Sequence, residues 1–341
     1  MLSSNTDPEY ETKYKQNMNP KYKPEPVIKN VSRETFREQT RSNEINMRLT
    51  NLIPLLFVWL WSTGFVGAKY GLPYIEPFFM LVVRFICVIV LLFLLVEILR
   101  NPRATFRQAL GQMLVGLLLH GLYLGGVFYA IKQGVPAGIS AVIVGLQPIL
   151  ISVLERVFLH QPARQGQYVG LIAGFIGITL VVASKMNMSE IGMGGMSVAG
   201  LVANIVALFG ISVGTIIQKR IGSDVPLLSG SLYQYMGAMA AMLALTLMLE
   251  TQAVEPTVEL ALALLWLVFG LSILAVILLM YMIREGEVVK VTSYFYLVPP
   301  VTLVQTWLLF DERLNAVALV GCALTVYAVY KVVRAPAASG T

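Results

Sequence analysis

The chain has 341 residues, 57% of them hydrophobic and only 13% charged, with a net charge of +6 and a mean hydropathy of +0.72. That is too little charge to cover a water-soluble domain, and the apolar residues fall in long blocks rather than in alternating or one-faced patterns. The basic residues cluster between those blocks and in the N-terminal tail, as topology signals do, which sets nucleic acid aside as a partner and leaves the lipid bilayer as the solvent.

Residues 1–46 are polar throughout and carry no apolar stripe. Such a segment cannot offset its ordering entropy by burial and is expected to be a disordered cytoplasmic tail. No cleavable signal is read before the first apolar block, so that block is itself expected to direct insertion. Met47 stands immediately before it and would serve as an alternative start, which would make residues 1–46 dispensable. From there ten segments reach the roughly 17–25 mostly apolar residues needed to cross a bilayer: 50–69, 77–98, 110–131, 135–157, 166–184, 197–218, 228–249, 259–283, 288–309 and 314–332. Their short connections make neighbours antiparallel.

Lysine and arginine set the orientation. With the N-terminus cytoplasmic, the inner loops hold Arg100, Arg103, Arg107, Arg156, Arg164, Lys219, Arg220, Arg284 and Lys290, and the C-terminal tail adds Lys331 and Arg334. The outer loops hold only Lys69, Lys132, Lys185 and Arg313. Both termini are therefore expected in the cytoplasm of a bacterium, with the chain crossing its inner membrane many times. Cys87 and Cys322 lie inside apolar blocks and have no metal spacing, and two histidines, His120 and His160, make no metal site, so neither cofactor nor metal is expected.

The chain also resembles itself. Tyr129-Ala-Ile-Lys-Gln-Gly134 aligns with Tyr281-Met-Ile-Arg-Glu-Gly286, and the same offset carries Ser140 onto Thr292 and Pro148 onto Pro300. A nearly equal offset carries Ser62, Gly64 and Lys69 onto Ser212, Gly214 and Lys219, and Arg84 onto Gln234. Residues 47–184 and 197–334 thus read as two five-helix repeats. An odd number of spans in tandem enters the membrane in opposite directions, the inverted arrangement that secondary transporters use for alternating access.

At this point the residues suggest a family. Leu56-Phe-Val-Trp-Leu-Trp-Ser-Thr-Gly-Phe-Val-Gly-Ala-Lys69, the Arg84-Phe85 pair, the stretch from Gly134 to Pro148 with its second-half counterpart, and the Glu312-Arg313-Leu314 turn resemble the drug/metabolite transporter superfamily, EamA type. The resemblance covers roughly residues 47–334. It implies an all-α integral membrane fold of ten helices in two inverted repeats, with a central cavity lined mainly by spans 3, 4, 8 and 9. In the first half His160-Gln-Pro replaces the Asp311-Glu-Arg turn, so any pairing there is absent.

Pro148 lies within span 4, and Pro299 and Pro300 within span 9. Proline removes a backbone donor and displaces the carbonyl four residues earlier, which marks either a hinge at a wet site or a packing kink. Ser140, Val144 and Gln147 share one face of span 4, and Thr292, Tyr296 and Pro299 share the matching face of span 9. His120, Tyr123 and Val127 share a side of span 3. Aromatic walls with a few hydroxyls and amides suit an amphipathic organic molecule rather than an ion.

Arg84, inside span 2, costs on the order of 3 kcal/mol at the bilayer centre. It either holds a substrate carboxylate or phosphate, or bonds helix-end carbonyls; its counterpart Gln234 is neutral. His120 either serves the substrate or a proton, or is a buried hydrogen-bonded residue. Lys69 and Lys219, at opposite faces, read as gates or as topology anchors. Gly121/Gly125, Gly166/Gly170/Gly174 and Gly210/Gly214 have the spacing of close helix approach.

No Asp or Glu lies in the middle third of any span, which favours facilitated diffusion or exchange over a carboxylate proton relay. An HExxH motif, paired intramembrane aspartates and a Walker A loop are all missing from the sequence, which argues against an enzyme or an ATP-driven pump. The expectation is a transporter of small organic metabolites, an exporter of amino acids or their derivatives first, acting as a monomer or weak homodimer. Nucleotide sugars, amines and drug-like compounds are the alternative cargo, and a non-transporting sensor or scaffold the alternative role.

Overall fold

A computed structural model describes residues 33–159, 169–170, 172–177, 179–180, 197–285, 291, 294–310 and 315–333. The described residues are helical, without strands, and the only β-type pairing among them is an isolated bridge between Ile75 and Val254. The first helix, α1, is assigned to Arg33–Gly71, so helix reaches back into the stretch 33–46 where the sequence predicted none. Glu and Arg spaced three or four apart there (Glu34/Arg37, Glu38/Arg41, Glu44/Arg48) favour helix locally. Residues 1–32 lie outside the described residues. The rest of the account concerns the unit 51–341.

Six helices among the described residues are long and apolar enough to cross a membrane: Leu52–Gly71 of α1, Pro77–Ile98 (α2), Phe106–Lys132 (α3), Val198–Ile221 (α6), Leu227–Leu249 (α7) and Val258–Leu279, within α8. Apolar side chains such as Phe93, Phe209 and Leu308 stand exposed on the surface, as they must where lipid is the solvent.

Span 4 is interrupted. Its first part, α4, covers Ala137–Val144, and its second, α5, covers Gln147–Leu159. The cause is local. Pro148 has no N–H for the carbonyl four residues back, which belongs to Val144, and α4 ends there. Span 9 changes its winding at the equivalent place. A 3-10 turn, Tyr294–Leu297, leads into α9, Val298–Phe310, with Pro299 and Pro300 in its first turn. The last described helix, α10, is Ala316–Val333.

Spans 3 and 8 share another irregularity. α3 passes through a π-helical stretch, Leu117–Leu122, and α8 runs from Val258–Trp266 through a π-helical stretch, Leu267–Ala275, into Val276–Glu285. Such wide turns are frequent at functional sites.

Hydrogen bonds at both ends of α2 and α7 fix their relative direction. Glu250, closing α7, accepts from the backbone N–H groups of Phe78 and Phe79 at the start of α2, at 2.8 and 2.7 Å. Ser229, opening α7, accepts from the Ala104 N–H just beyond α2, at 2.9 Å. The two helices are antiparallel. On the first side Glu76 reciprocates, accepting from the N–H of Ala253 and from the N–H and hydroxyl of Thr251, while the Glu255 N–H donates to the Tyr74 carbonyl at 2.7 Å. On the second side Gln108 donates to the Asp224 carbonyl.

One face of the bundle therefore staples loop 72–76 to loop 250–257, and the other staples loop 99–105 to loop 222–226 and the first turn of α7. Each staple joins the first loop of one half to the second loop of the other, which is the pattern an inverted duplication produces. Burial pushes the Glu250 carboxyl up, only partly opposed by the Phe78 and Phe79 N–H groups, and the nearby Glu76 charge adds to the rise. Burial acts on Glu76 in the same sense, but hydrogen bonds from Thr251, Ala253 and Gln252 outweigh it and hold that carboxyl below its usual range.

Candidate functional site

Near mid-depth a narrow cavity of about 30 Å³ is lined by Trp61 and Phe65 of α1, Arg84 of α2, His120 and Tyr123 of α3, and Tyr235 of α7, together with neighbouring apolar residues. It holds water-sized groups; a metabolite site needs roughly 300 Å³ or more. The walls are flat rings. Tyr123 lies parallel to Trp61 at 6.3 Å between centroids, and His120 stacks on Tyr235 at 4.3 Å.

Arg84 is 4% exposed. Its Nε donates to the Ser272 hydroxyl at 2.9 Å, and among the described residues no carboxylate pairs with it. A guanidinium has five N–H donors in a fixed fork, so the bond to Ser272 orients the group and leaves most of its donors for a ligand. Tyr235 closes the arrangement, its hydroxyl donating to the Ser272 carbonyl at 3.3 Å.

The second half mirrors this. His120 Nε2 lies 3.3 Å from Gln234 Oε1, and Gln234 Nε2 donates to Gln112 Oε1 at 2.6 Å and Gln218 Oε1 at 3.2 Å. The repeat offsets carry Arg84 onto Gln234 and His120 onto Ser272. In each half, then, the second helix bonds the π-helical stretch of the other half, once with a charged donor and once with a neutral amide.

The broken helices are held in the same crossed fashion. Ser62 of α1 donates to the Val298 carbonyl at the start of α9 (3.3 Å), and Gln147 at the start of α5 donates to Thr215 of α6 (3.0 Å). At the helix ends Lys69 of α1 sits over the Phe310 ring of α9 at 4.2 Å, while Lys219 of α6 approaches Glu155 of α5 at 3.8 Å. These two lysines stand at opposite faces of the bundle.

Of the residues singled out from sequence, Arg84, His120, Tyr123 and Val127 come together around the cavity. Gln234 stands one layer behind, joined to His120. Ser140 and Gln147 are buried against α6 instead, Ser140 donating to Asn204 Oδ1 at 2.9 Å. Tyr296 is fully buried, and a Cβ on Gly174 would meet its ring at about 3.0 Å. Thr292 lies outside the described residues.

The walls differ from those implied by resemblance: α4 and α9 contribute none of the lining, while α1, α2 and α7 do. The reason is close packing. A Cβ on Gly145 would meet Pro299 Cγ at 2.9 Å, and one on Gly138 would meet Leu303 Cδ2 at 3.0 Å, so the two broken helices press together and fill the space between them. Gly210 and Gly214 likewise bring α6 against α3.

Sequence reasoning missed Trp61, Phe65, Phe128, Tyr235 and Ser272. Trp61 and Phe65 carry a usable signal, an aromatic pair one turn apart on the face next to Ser62. Tyr235 and Ser272 carry none on their own.

Residues 49–183 and 198–334 each match the EamA-like transporter family. The chain is 28% identical over 289 residues to the uncharacterized inner membrane transporter YedA of Escherichia coli strain K12, covering 83% of this chain and 92% of that protein. It is 25% identical over 293 residues to a protein of Salmonella typhimurium named probable amino-acid metabolite efflux pump, covering 83% and 94%. A crystal structure 19% identical in sequence superposes with a TM-score of 0.64 over 82% of this chain and 94% of that one, and so shares the fold. The chain is an all-helical membrane protein that belongs, through both of its halves, to the EamA-like transporter family.

Proposed function

We propose that this transporter exports amino acids or closely related carboxylate-bearing metabolites by alternating access, across a bacterial inner membrane, with both termini in the cytoplasm and ten spans in two inverted halves. The observation that carries the cargo assignment is Arg84: a buried cation without a carboxylate partner among the described residues, oriented by Ser272 and facing a cavity of flat aromatic rings. A fixed guanidinium fork matches a carboxylate, and ring faces accept the rest of an amphipathic solute. The naming of a 25% identical relative for amino-acid metabolite efflux supports the same reading. His120 and Tyr123 complete the binding wall, with Gln234 setting the His120 ring. Pro148, Pro299 and Pro300 are the hinges, and Lys69 and Lys219 the gates, each tying the first span of one half to the broken helix of the other. In this state the cavity is too small for cargo, so loading requires α4 and α9 to separate at the Gly145–Pro299 contact.

Proteoliposome efflux tests the reading. Wild-type protein is expected to carry zwitterionic amino acids and, more weakly, their carboxamide analogues. Arg84→Gln is expected to lose roughly tenfold or more for the acids, the worth of a charge-assisted hydrogen bond, and little for the amides. Equal loss for both retires the carboxylate clamp, and failure of wild-type protein to move any solute of the panel retires export itself.

A further inference from the structure

We propose that the seam between α3 and α7 carries a binding site for one anionic phospholipid, with an acyl chain in a surface trough and the phosphodiester at Arg107. The trough is an open concavity of about 540 Å³ between α3 and α7 that shares no lining residue with the central cavity. Leu110, Leu114 and Leu117 of α3 form one wall, 60%, 49% and 38% exposed. They recur at the spacing of a single helix face. Gly237 and Ala240 of α7 lie along the other side. At Gly237 a Cβ would run into the backbone of Met113, so α7 closes directly on α3 there, and the two small residues leave an open furrow above the contact.

The trough has a polar end and a deep end. Arg107, in the first turn of α3, lines the polar end, and among the described residues it has neither hydrogen-bond nor ion-pair partner. Its neighbour Arg103 is different, since its guanidinium is tied to Glu97. Phe106, the first residue of α3 and next to Arg107, is 86% exposed, the placement of an interfacial aromatic. From Arg107 to Leu117 the helix advances about 15 Å at 1.5 Å per residue, which is the depth of one leaflet of a hydrocarbon core about 30 Å thick. Length, apolar lining and a cation at headgroup level together fit a whole lipid, and the unpaired charge selects an anionic headgroup. The deep end, Leu117, is the first residue of the π-helical stretch that bears His120, so an occupying chain braces the wall of the central cavity from behind. None of this depends on what the transporter carries.

The test is lipid retention by the purified full-length protein, measured by native mass spectrometry after mixing with equal amounts of phosphatidylglycerol and phosphatidylcholine. Phosphatidylglycerol is expected to be retained about fivefold more, the effect of one basic residue at the surface. Arg107→Gln should erase the preference, Arg103→Gln should keep it, and Ala240→Trp, at an exposed position, should lower retention of both lipids by filling the furrow. Equal retention of the two lipids by wild-type protein overturns the proposal. So does loss of the preference in Arg103→Gln to the same extent as in Arg107→Gln, which would mean diffuse surface charge. Competition by glycerophosphoglycerol, which has no chains, as strong as that by the intact lipid would show that the trough takes no part and overturns it too.

Discussion

Arg84 and Gln234 occupy equivalent places in the two halves, yet one is charged and one is not, and their partners Ser272 and His120 differ accordingly. Ser272 touches no cargo in this arrangement; it aims the guanidinium. Ser272→Ala is therefore expected to raise the solute concentration for half-maximal transport about fivefold, the worth of one hydrogen bond, with a smaller change in maximal rate. Ser272→Thr should restore it, because the hydroxyl returns, whereas a purely packing role would not be rescued. Saturation curves in proteoliposomes check both. At this scale the sequence was informative only where chemistry contrasts with its surroundings. Arg84 and His120 stand out in a hydrophobic chain, and both line the cavity. Tyr235, Trp61 and Phe65 do not stand out, because aromatic residues recur in nearly every span. Ser140 and Gln147 share a helical face as their spacing required, but spacing does not say which neighbour that face meets, and here it meets α6.

In the proposed cycle the proline-bearing helices are the elements that move, and span 4 is interrupted by a proline without a donor at the first turn of the restarted helix. Pro148→Ala returns an N–H able to reach the Val144 carbonyl and lets α4 run on into α5. The continuous helix is expected to slow turnover about tenfold while leaving half-saturation within about twofold, because bending, not binding, loses its joint. Stopped-flow efflux at saturating solute separates the two. The interruption of span 4 was legible from Pro148, and Pro299 and Pro300 lie just past the change of winding in span 9. That the two spans would touch through Gly145 and exclude α4 and α9 from the cavity wall was not legible, since it depends on how close two helices from different halves approach. The π-helical stretches left no sequence signal either: an extra residue per turn leaves local composition unchanged.

For the whole molecule, the duplicated pattern was readable because polar, glycine and proline positions repeat at nearly constant spacing. The crossed pairing of the halves came only with the hydrogen bonds at the ends of α2 and α7. Those staples carry a prediction of their own. Glu76 is held below the ordinary carboxylate range, so the fold favours its anion; its contribution is complete above the unfolded value and is lost as pH falls through the depressed one. Glu250 is raised, so the fold favours its acid; its contribution is complete below the unfolded value and fades as pH rises through the elevated one. Carboxyl-carbon titration of glutamate-labelled protein should show Glu250 taking its proton at a distinctly higher pH than Glu76, and coincident titration would contradict the geometry of loop 250–257. The cavity of about 30 Å³ has a consequence at this scale as well. If the transporter passes through this shape with no passenger aboard, it can reset its access empty, and net movement down a gradient then demands no return traffic. Equal efflux rates from proteoliposomes with and without solute outside are the expected outcome, and efflux that stops without outside solute would contradict it.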